Sequence, residues 1–349
     1  MPKFRVVFIE HSFPTTHYER AIIEAAGGEF IDADELSLPE ALRLCEEAEG
    51  VMVRRINISA EMIARFKRCK IIMRCGVGTD SVDAHAATKA NIIVGHVPTY
   101  GTDEVSTHAI ALLLSCVRQI VPTHQRMITG AWDVHGSDPL FRTAGKTLGL
   151  VGFGNIGRAV ARKLTGWNLR VIATDPFADP ETVRALNVTL VDLETLCRQS
   201  DYISLHCPLL PETKHLIATR TLALMKPTAI LINTSRGPVV DGAALIDALN
   251  ANRLAQAGLD VFEREPLPPD SPLLHHPRVT LSDHTAWYSE ESQIDLQRMA
   301  AEEVVRVCTG GLPRSIANPQ VLKKLGRFDE WSPAENMRWQ LKRLDQLGW

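Results

Sequence analysis

Short apolar blocks alternate with stretches of helical periodicity along most of this chain. Residues 4–9 form a first block of strand length. Residues 17–26 repeat apolar positions at helical spacing and close on Gly27 and Gly28. A second strand starts at 30–31, a helix is predicted over 39–48, and 51–53 is a third strand. Ser59 is a natural N-cap for a helix over 60–66. Residues 71–75 and 92–97 are the fourth and fifth strands. Strands that alternate with helices predict a parallel sheet covered on both faces.

The pattern then changes length. Residues 103–117 are an unusually apolar helix, expected to be buried between domains, and 123–138 read as a polar connector. Next comes the stretch TLGLVGFGNIGRAVARKLTGWNLRVIATD, residues 147–175. It reads as strand, glycine turn, helix, strand and acid. Gly152 permits the tight turn, Gly154 lets the backbone approach a pyrophosphate, and Gly157 lets the helix lie close on the strand. Asn155 and Ile156 open the helix, whose free N–H groups and positive dipole end face the phosphates. Asp175 closes the second strand, where a carboxylate accepts bonds from ribose hydroxyls and repels a 2′-phosphate, so NAD is expected over NADP.

Further strands at 188–191, 202–206, 229–233, 256–261 and 279–281, with a helix at 242–251, complete a doubly wound α/β fold. A second long helix pattern covers 290–309. The tail from 318 holds Trp331, Trp339 and Trp349, and Ser332-Pro333 opens a helix pattern expected to dock on its own chain or on a second subunit.

A length of 349 residues suggests two domains, and 45% hydrophobic with 23% charged residues is ordinary for a globular protein. The net charge of −3 offers no electrostatic argument for nucleic acid or an anionic membrane. The seven cysteines are scattered without CxxC pairs, so they are read as reduced residues of a cytoplasmic protein without a structural metal. The N-terminus runs straight into a strand pattern and lacks the apolar core of a signal peptide.

Four segments carry polar groups at strand ends. The loop Gly76-Val77-Gly78-Thr79-Asp80 after the fourth strand is either an anion-binding nest or a plain turn. Arg236 follows the strand 229–233, at the sheet edge where ligands bind, and its planar fork suits a carboxylate. Residues 260–266 contain Asp260 and Glu265, and residues 282–287 contain His284 and Trp287. Hydride transfer to a carbonyl needs a proton donor for the developing alkoxide and a cation for the substrate acid. A histidine, an arginine and a carboxylate are a sufficient set.

The order GFGNIGR, HCPLLPETKHLI, INTSRGPVVD, AGLDVFEREPLP, DHTAWYS resembles the D-isomer-specific 2-hydroxyacid dehydrogenase family over about residues 4–315. The resemblance implies two Rossmann-like domains: a discontinuous, flavodoxin-like substrate domain of residues 1–100 and 288–349, and a doubly wound NAD-binding domain of residues 101–287. It implies that Arg236 binds the substrate carboxylate and carbonyl, that His284 is the acid/base and that Glu265 pairs with it. Asp260 would meet the nicotinamide amide, and Thr234 and Cys207 would line the cofactor. Cys75, Gly76, Val77 and Gly78 would give N–H groups to the substrate carboxylate. Related enzymes are homodimers. Within the family, VPTYGTDEV and HTAWYSEES are similar to the C-terminal binding protein branch, in which the tryptophan matching Trp287 lines the pocket. An apolar wall favours a keto acid with an apolar or aromatic side chain over a phosphorylated one. The resemblance thus implies interconversion of a 2-keto acid and a D-2-hydroxy acid, and an NADH-responsive regulatory protein is the alternative. Asp283 departs from the family, which usually has proline there. It either alters His284 or faces solvent.

Overall fold

The computed structural model describes residues 2–136 and 138–332. Its contacts divide the chain into two compact units, Met1–Gly101 with Ser289–Trp349, and Thr102–Tyr288.

The first unit is built on five parallel strands: β1 (Arg5–Ile9), β2 (Glu29–Asp32), β3 (Gly50–Val53), β4 (Ile71–Arg74) and β5 (Ile93–His96). Their order is β2-β1-β3-β4-β5. That is the flavodoxin-like arrangement expected from the sequence. The inner strands are runs such as VVFI and GVMV that are buried on both faces, as a helix-covered parallel sheet requires. The helix Glu290–Cys308 returns to this sheet and packs on β3 and β4. A side chain at Gly50 would put its Cβ 2.8 Å from Val304, so this glycine sets how closely the helix approaches.

The second unit carries seven parallel strands: β6 (Thr147–Val151), β7 (Arg170–Thr174), β8 (Thr189–Leu190), β9 (Tyr202–Leu205), β10 (Ile230–Asn233), β11 (Gln256–Leu259) and β12 (Val279–Leu281). The order β12-β11-β10-β9-β6-β7-β8 reverses direction at β6 and β9, as in a doubly wound nucleotide fold. Aspartates 179, 192 and 241 each accept a backbone N–H at the start of a helix in this unit.

The apolar helix forms at Thr102–Arg118 and packs on β10, β11 and β12 of its own unit. Its apolar stripe is therefore spent on that sheet, where Gly258 lets Leu112 come close. The stretch expected as a polar connector begins with a second helix, Ile120–Ile128, with no buried residue. Around it Ile128, Trp132 and Val134 are 64%, 85% and 82% exposed. The helix expected over 60–66 stops at Ile63, and the strand expected to reach 261 stops at Leu259. Short helices at Ala84–Lys89, Pro180–Ala185 and Leu193–Gln199 carry too few apolar positions to show a period. In the tail, Val321–Lys324 is helical and Trp331 is half-buried. The helix expected from Ser332-Pro333, with Trp339 and Trp349, lies outside the described residues. All seven cysteines are buried and unpaired.

Candidate functional site

In the second unit the glycine turn joins β6 to the helix Asn155–Lys163. Gly152 has φ +94°, and a Cβ there would lie 2.7 Å from the backbone of His206 and Cys207 at the end of β9. A Cβ on Gly157 would lie 2.3 Å from the Gly152 carbonyl oxygen. At Gly154 nothing stands within 4 Å, so a large anion has room against the backbone. Asn155 accepts a bond of 2.6 Å from Arg158, and Ile156 is the next residue of the same first turn. The Asp175 carboxylate ends the neighbouring strand and accepts the N–H groups of Phe153 (2.7 Å) and Phe177 (2.8 Å). Each oxygen keeps a lone pair for a ribose hydroxyl. Thr234 is buried, and its hydroxyl has no partner among the described residues. Burial pushes the Cys207 thiol up to about 11, so it stays neutral. The open space at Gly154 and the orphaned Thr234 hydroxyl fit a dinucleotide along this edge.

Arg236, Glu265 and His284 come together in this unit. The Glu265 carboxylate accepts from His284 Nδ1 at 2.6 Å and from the Phe262 N–H at 2.9 Å. Burial works against its ionisation, but the His284 bond and charge, the Phe262 N–H and the Arg236 charge outweigh it and hold its pKa below the ordinary value. Since Nδ1 is committed to Glu265, Nε2 is the nitrogen His284 presents to a substrate. His284 itself sits at φ +58°, a left-handed conformation that a non-glycine residue keeps only when its surroundings enforce it. The enforcing group is Asp260. Its carbonyl accepts the His284 N–H at 2.8 Å. Its buried carboxylate accepts from the Ser282 hydroxyl (2.7 Å) and from the N–H groups of Thr285 (3.0 Å) and Ala286 (3.1 Å). His108 closes the network through Ser282 at 2.8 Å.

The Arg236 loop is held in a similar way. Asn233 donates to the Arg236 carbonyl (2.9 Å) and accepts from the Ser235 N–H (3.0 Å). A Cβ on Gly237 would fall 1.8 Å from the Phe262 carbonyl carbon, so only glycine lets the Arg236 and Glu265 segments touch. Asp283 is exposed, which decides the open question about it in favour of solvent. Trp287 is half-buried and stands edge-on to Tyr288, 5.5 Å between ring centres. Sequence reasoning missed Asn233, His108 and Ser282. His108 and Ser282 act through partners distant in sequence, whereas Asn233 braces its own loop through Ser235 and Arg236.

In the first unit, the loop of Cys75, Gly76, Val77 and Gly78 leaves the carboxyl end of β4. Cys75 is buried and its N–H is bonded to the Val53 carbonyl at 2.8 Å. Gly76 has φ +147°, and the Arg74 guanidinium covers the place where its Cβ would stand. Among the described residues the N–H groups of Gly76, Val77 and Gly78 donate to no protein acceptor, as an anion-binding nest requires. Two cations flank this edge. Arg54 follows β3 and stacks over Phe13, 4.7 Å from the ring centre, and Arg74 ends β4. An arginine at or just past the end of an apolar run is the signal that singled out Arg236, and it could have found both.

Residues 110–286 match the family model described as D-isomer specific 2-hydroxyacid dehydrogenase, NAD binding domain. A glyoxylate reductase of Thermofilum pendens is 41% identical over 82% of this chain and 86% of its own. A D-3-phosphoglycerate dehydrogenase of Archaeoglobus fulgidus is 36% identical over 81% of this chain but only 54% of its own. Among solved structures, a glyoxylate reductase from Paecilomyes thermophila superposes with a TM-score of 0.83 at 26% identity, covering 92% of this chain and all of the other. These relatives are reductases and dehydrogenases by name, which does not favour the C-terminal binding protein reading.

Proposed function

The chain belongs to the D-isomer specific 2-hydroxyacid dehydrogenase family and is an NAD-dependent enzyme that interconverts 2-keto and 2-hydroxy acids, and from that premise we propose how its residues share the work. The nicotinamide dinucleotide supplies or removes the hydride when bound. Arg236 holds the substrate carboxylate and carbonyl through its planar fork. His284 delivers a proton from Nε2 to the carbonyl oxygen on reduction and takes it back on oxidation. Glu265 fixes the ring and stabilises the imidazolium. Asp260 is a positioning residue, because its carboxylate ties down the loop that carries His284. The observation that carries this reading is the Glu265 carboxylate, hydrogen-bonded to His284 Nδ1 at 2.6 Å, with Arg236 near enough for its charge to act on the same carboxylate.

The substrate side chain is a second part of the proposal. Trp287, three residues after His284, favours a small or apolar keto acid. Arg54 and Arg74 favour a second reading, a keto acid with a distal acidic group. NADH consumption with glyoxylate, phenylpyruvate and phosphohydroxypyruvate tests both. No turnover on any of the three would overturn the assignment of roles. Turnover on phosphohydroxypyruvate alone would favour the arginines.

Asp175 underlies a preference for NAD. Arg158 lies close enough to feel the Asp175 charge. Asp175→Ala removes the repulsion of a 2′-phosphate and leaves Arg158 to receive it. The kcat/KM ratio of NADPH to NADH is expected to rise about tenfold or more, close to 1.4 kcal/mol of discrimination. An unchanged ratio argues against this role.

We also propose a cytoplasmic homodimer whose contact is made by the helix Ile120–Ile128 with Trp132 and Val134. The long apolar helices are used up in the cores of their own units, whereas Ile128, Trp132 and Val134 are exposed. A patch of this kind calls for a cover, and two-fold symmetry is the commonest solution. Light scattering of the wild type should give twice the chain mass, and Trp132→Glu should shift it towards the monomer. A wild-type monomer at micromolar concentration would sink the proposal.

A further inference from the structure

The loop of residues 75–78 is held from behind by a chain of contacts that the dehydrogenase chemistry does not account for. His96 is the last residue of β5, in register with Arg74 at the end of β4. Its Nδ1 lies 2.8 Å from the Val77 carbonyl, and its Nε2 lies 2.6 Å from the Ser315 hydroxyl. A carbonyl only accepts, so Nδ1 carries the proton. Burial holds the imidazole pKa below its ordinary value, so the ring is neutral and Nε2 accepts from Ser315. The two partners therefore select one tautomer. The neighbouring carbonyl, Gly76, accepts from the Val97 N–H at 2.9 Å. With both carbonyls tied to the end of β5, the N–H groups of Gly76, Val77 and Gly78 are left without acceptors among the described residues.

Ser315 is itself held. Arg314 donates from its backbone N–H (2.6 Å) and its guanidinium (3.0 Å) to Glu303 on the helix Glu290–Cys308. Ile316 bridges Gly95 in antiparallel fashion, and the Ala317 N–H donates to the Val94 carbonyl at 2.8 Å. Asn318 accepts the Val94 N–H and donates to the Ile92 carbonyl. The segment after the long helix is thus laid along the edge of β5, and its hydroxyl meets the imidazole.

We propose that His96 and Ser315 are positioning residues that orient the 75–78 loop for the substrate carboxylate, Ser315 holding the imidazole that donates to the Val77 carbonyl. The proposal rests on the reading of that loop as a carboxylate holder. Ser315→Ala removes the donor to Nε2, so the ring loses one of the two bonds that hold it against the Val77 carbonyl. One net hydrogen bond corresponds to about a three- to tenfold change. KM for glyoxylate is therefore expected to rise about three- to tenfold, with kcat and the dissociation constant of NADH within about twofold of wild type. Ser315→Thr keeps the hydroxyl and should restore KM, which a merely structural role for residue 315 would not do. Gly76→Ala strains the loop at φ +147° and is measured beside it. If Gly76→Ala raises KM and Ser315→Ala does not, the relay is overturned and the loop keeps its role. If neither raises KM, the reading of the loop falls and the proposal with it. A rise with Ser315→Ala that threonine does not reverse also overturns the relay.

Discussion

His284→Gln is expected to lower turnover of a keto acid about 10²- to 10⁴-fold, with NADH affinity nearly unchanged. Glutamine can still bond Glu265, so the loop keeps its shape, but an amide cannot carry a proton to the substrate oxygen. The residues assigned to the dinucleotide lie mainly at the glycine turn, Asp175 and Thr234, away from the imidazole in sequence and on other strands. NADH fluorescence titration and steady-state rates on the same preparation separate the two effects. A variant within about threefold of wild-type turnover would remove His284 from proton transfer. Glu265 should respond as well. Its pKa is drawn down in part by the His284 bond and charge, so losing the imidazole should move it upward.

Glu19→Gln is expected to stabilise the protein above pH 7 and to do little at pH 4. Glu19 is fully buried on the helix His17–Ala25, facing Gln297 of the helix Glu290–Cys308. Burial, with the nearby Asp32 charge adding to it, raises its pKa from 4.5 to about 7 against the bonds from backbone and Gln297 that lower it. A raised folded pKa means that the native state holds a proton that the unfolded chain has already released between these values. The protonated form thus carries the stability. It is fully present below about pH 4.5 and is lost as pH rises through about 7. Ionising the buried acid in the native state costs up to about 3 kcal/mol above that range. Glutamine is neutral at every pH and keeps the shape. Denaturant melts at pH 4 and pH 8 should show a wild type that weakens with pH and a variant that does so less. Equal slopes would contradict a proton on Glu19.

The dinucleotide half was legible because its signals are local. A glycine turn, the helix it opens and the acid after the next strand lie within thirty residues, and each glycine answers a backbone demand at its own position. The strand-end placement of Arg236, Glu265 and His284 was legible for the same reason, since an apolar run followed by a polar group reports its own sheet edge. The helix Ile120–Ile128 was not legible. Its apolar residues face outward, so periodicity reported neither a core nor a connector correctly.

By itself the sequence determined two α/β units, the order of their elements, the glycine turn and the identities of the chemical groups. These follow from short-range sterics and from the period of apolar residues. Only the tertiary structure decided which groups meet. It set Glu265 against His284, put Asp260 and His108 behind them, turned Asp283 to solvent, tied His96 to Ser315 and buried Glu19 against Gln297. The physical reason is that a polar side chain has no period. Its environment is fixed by whichever distant segment the apolar faces bring to it.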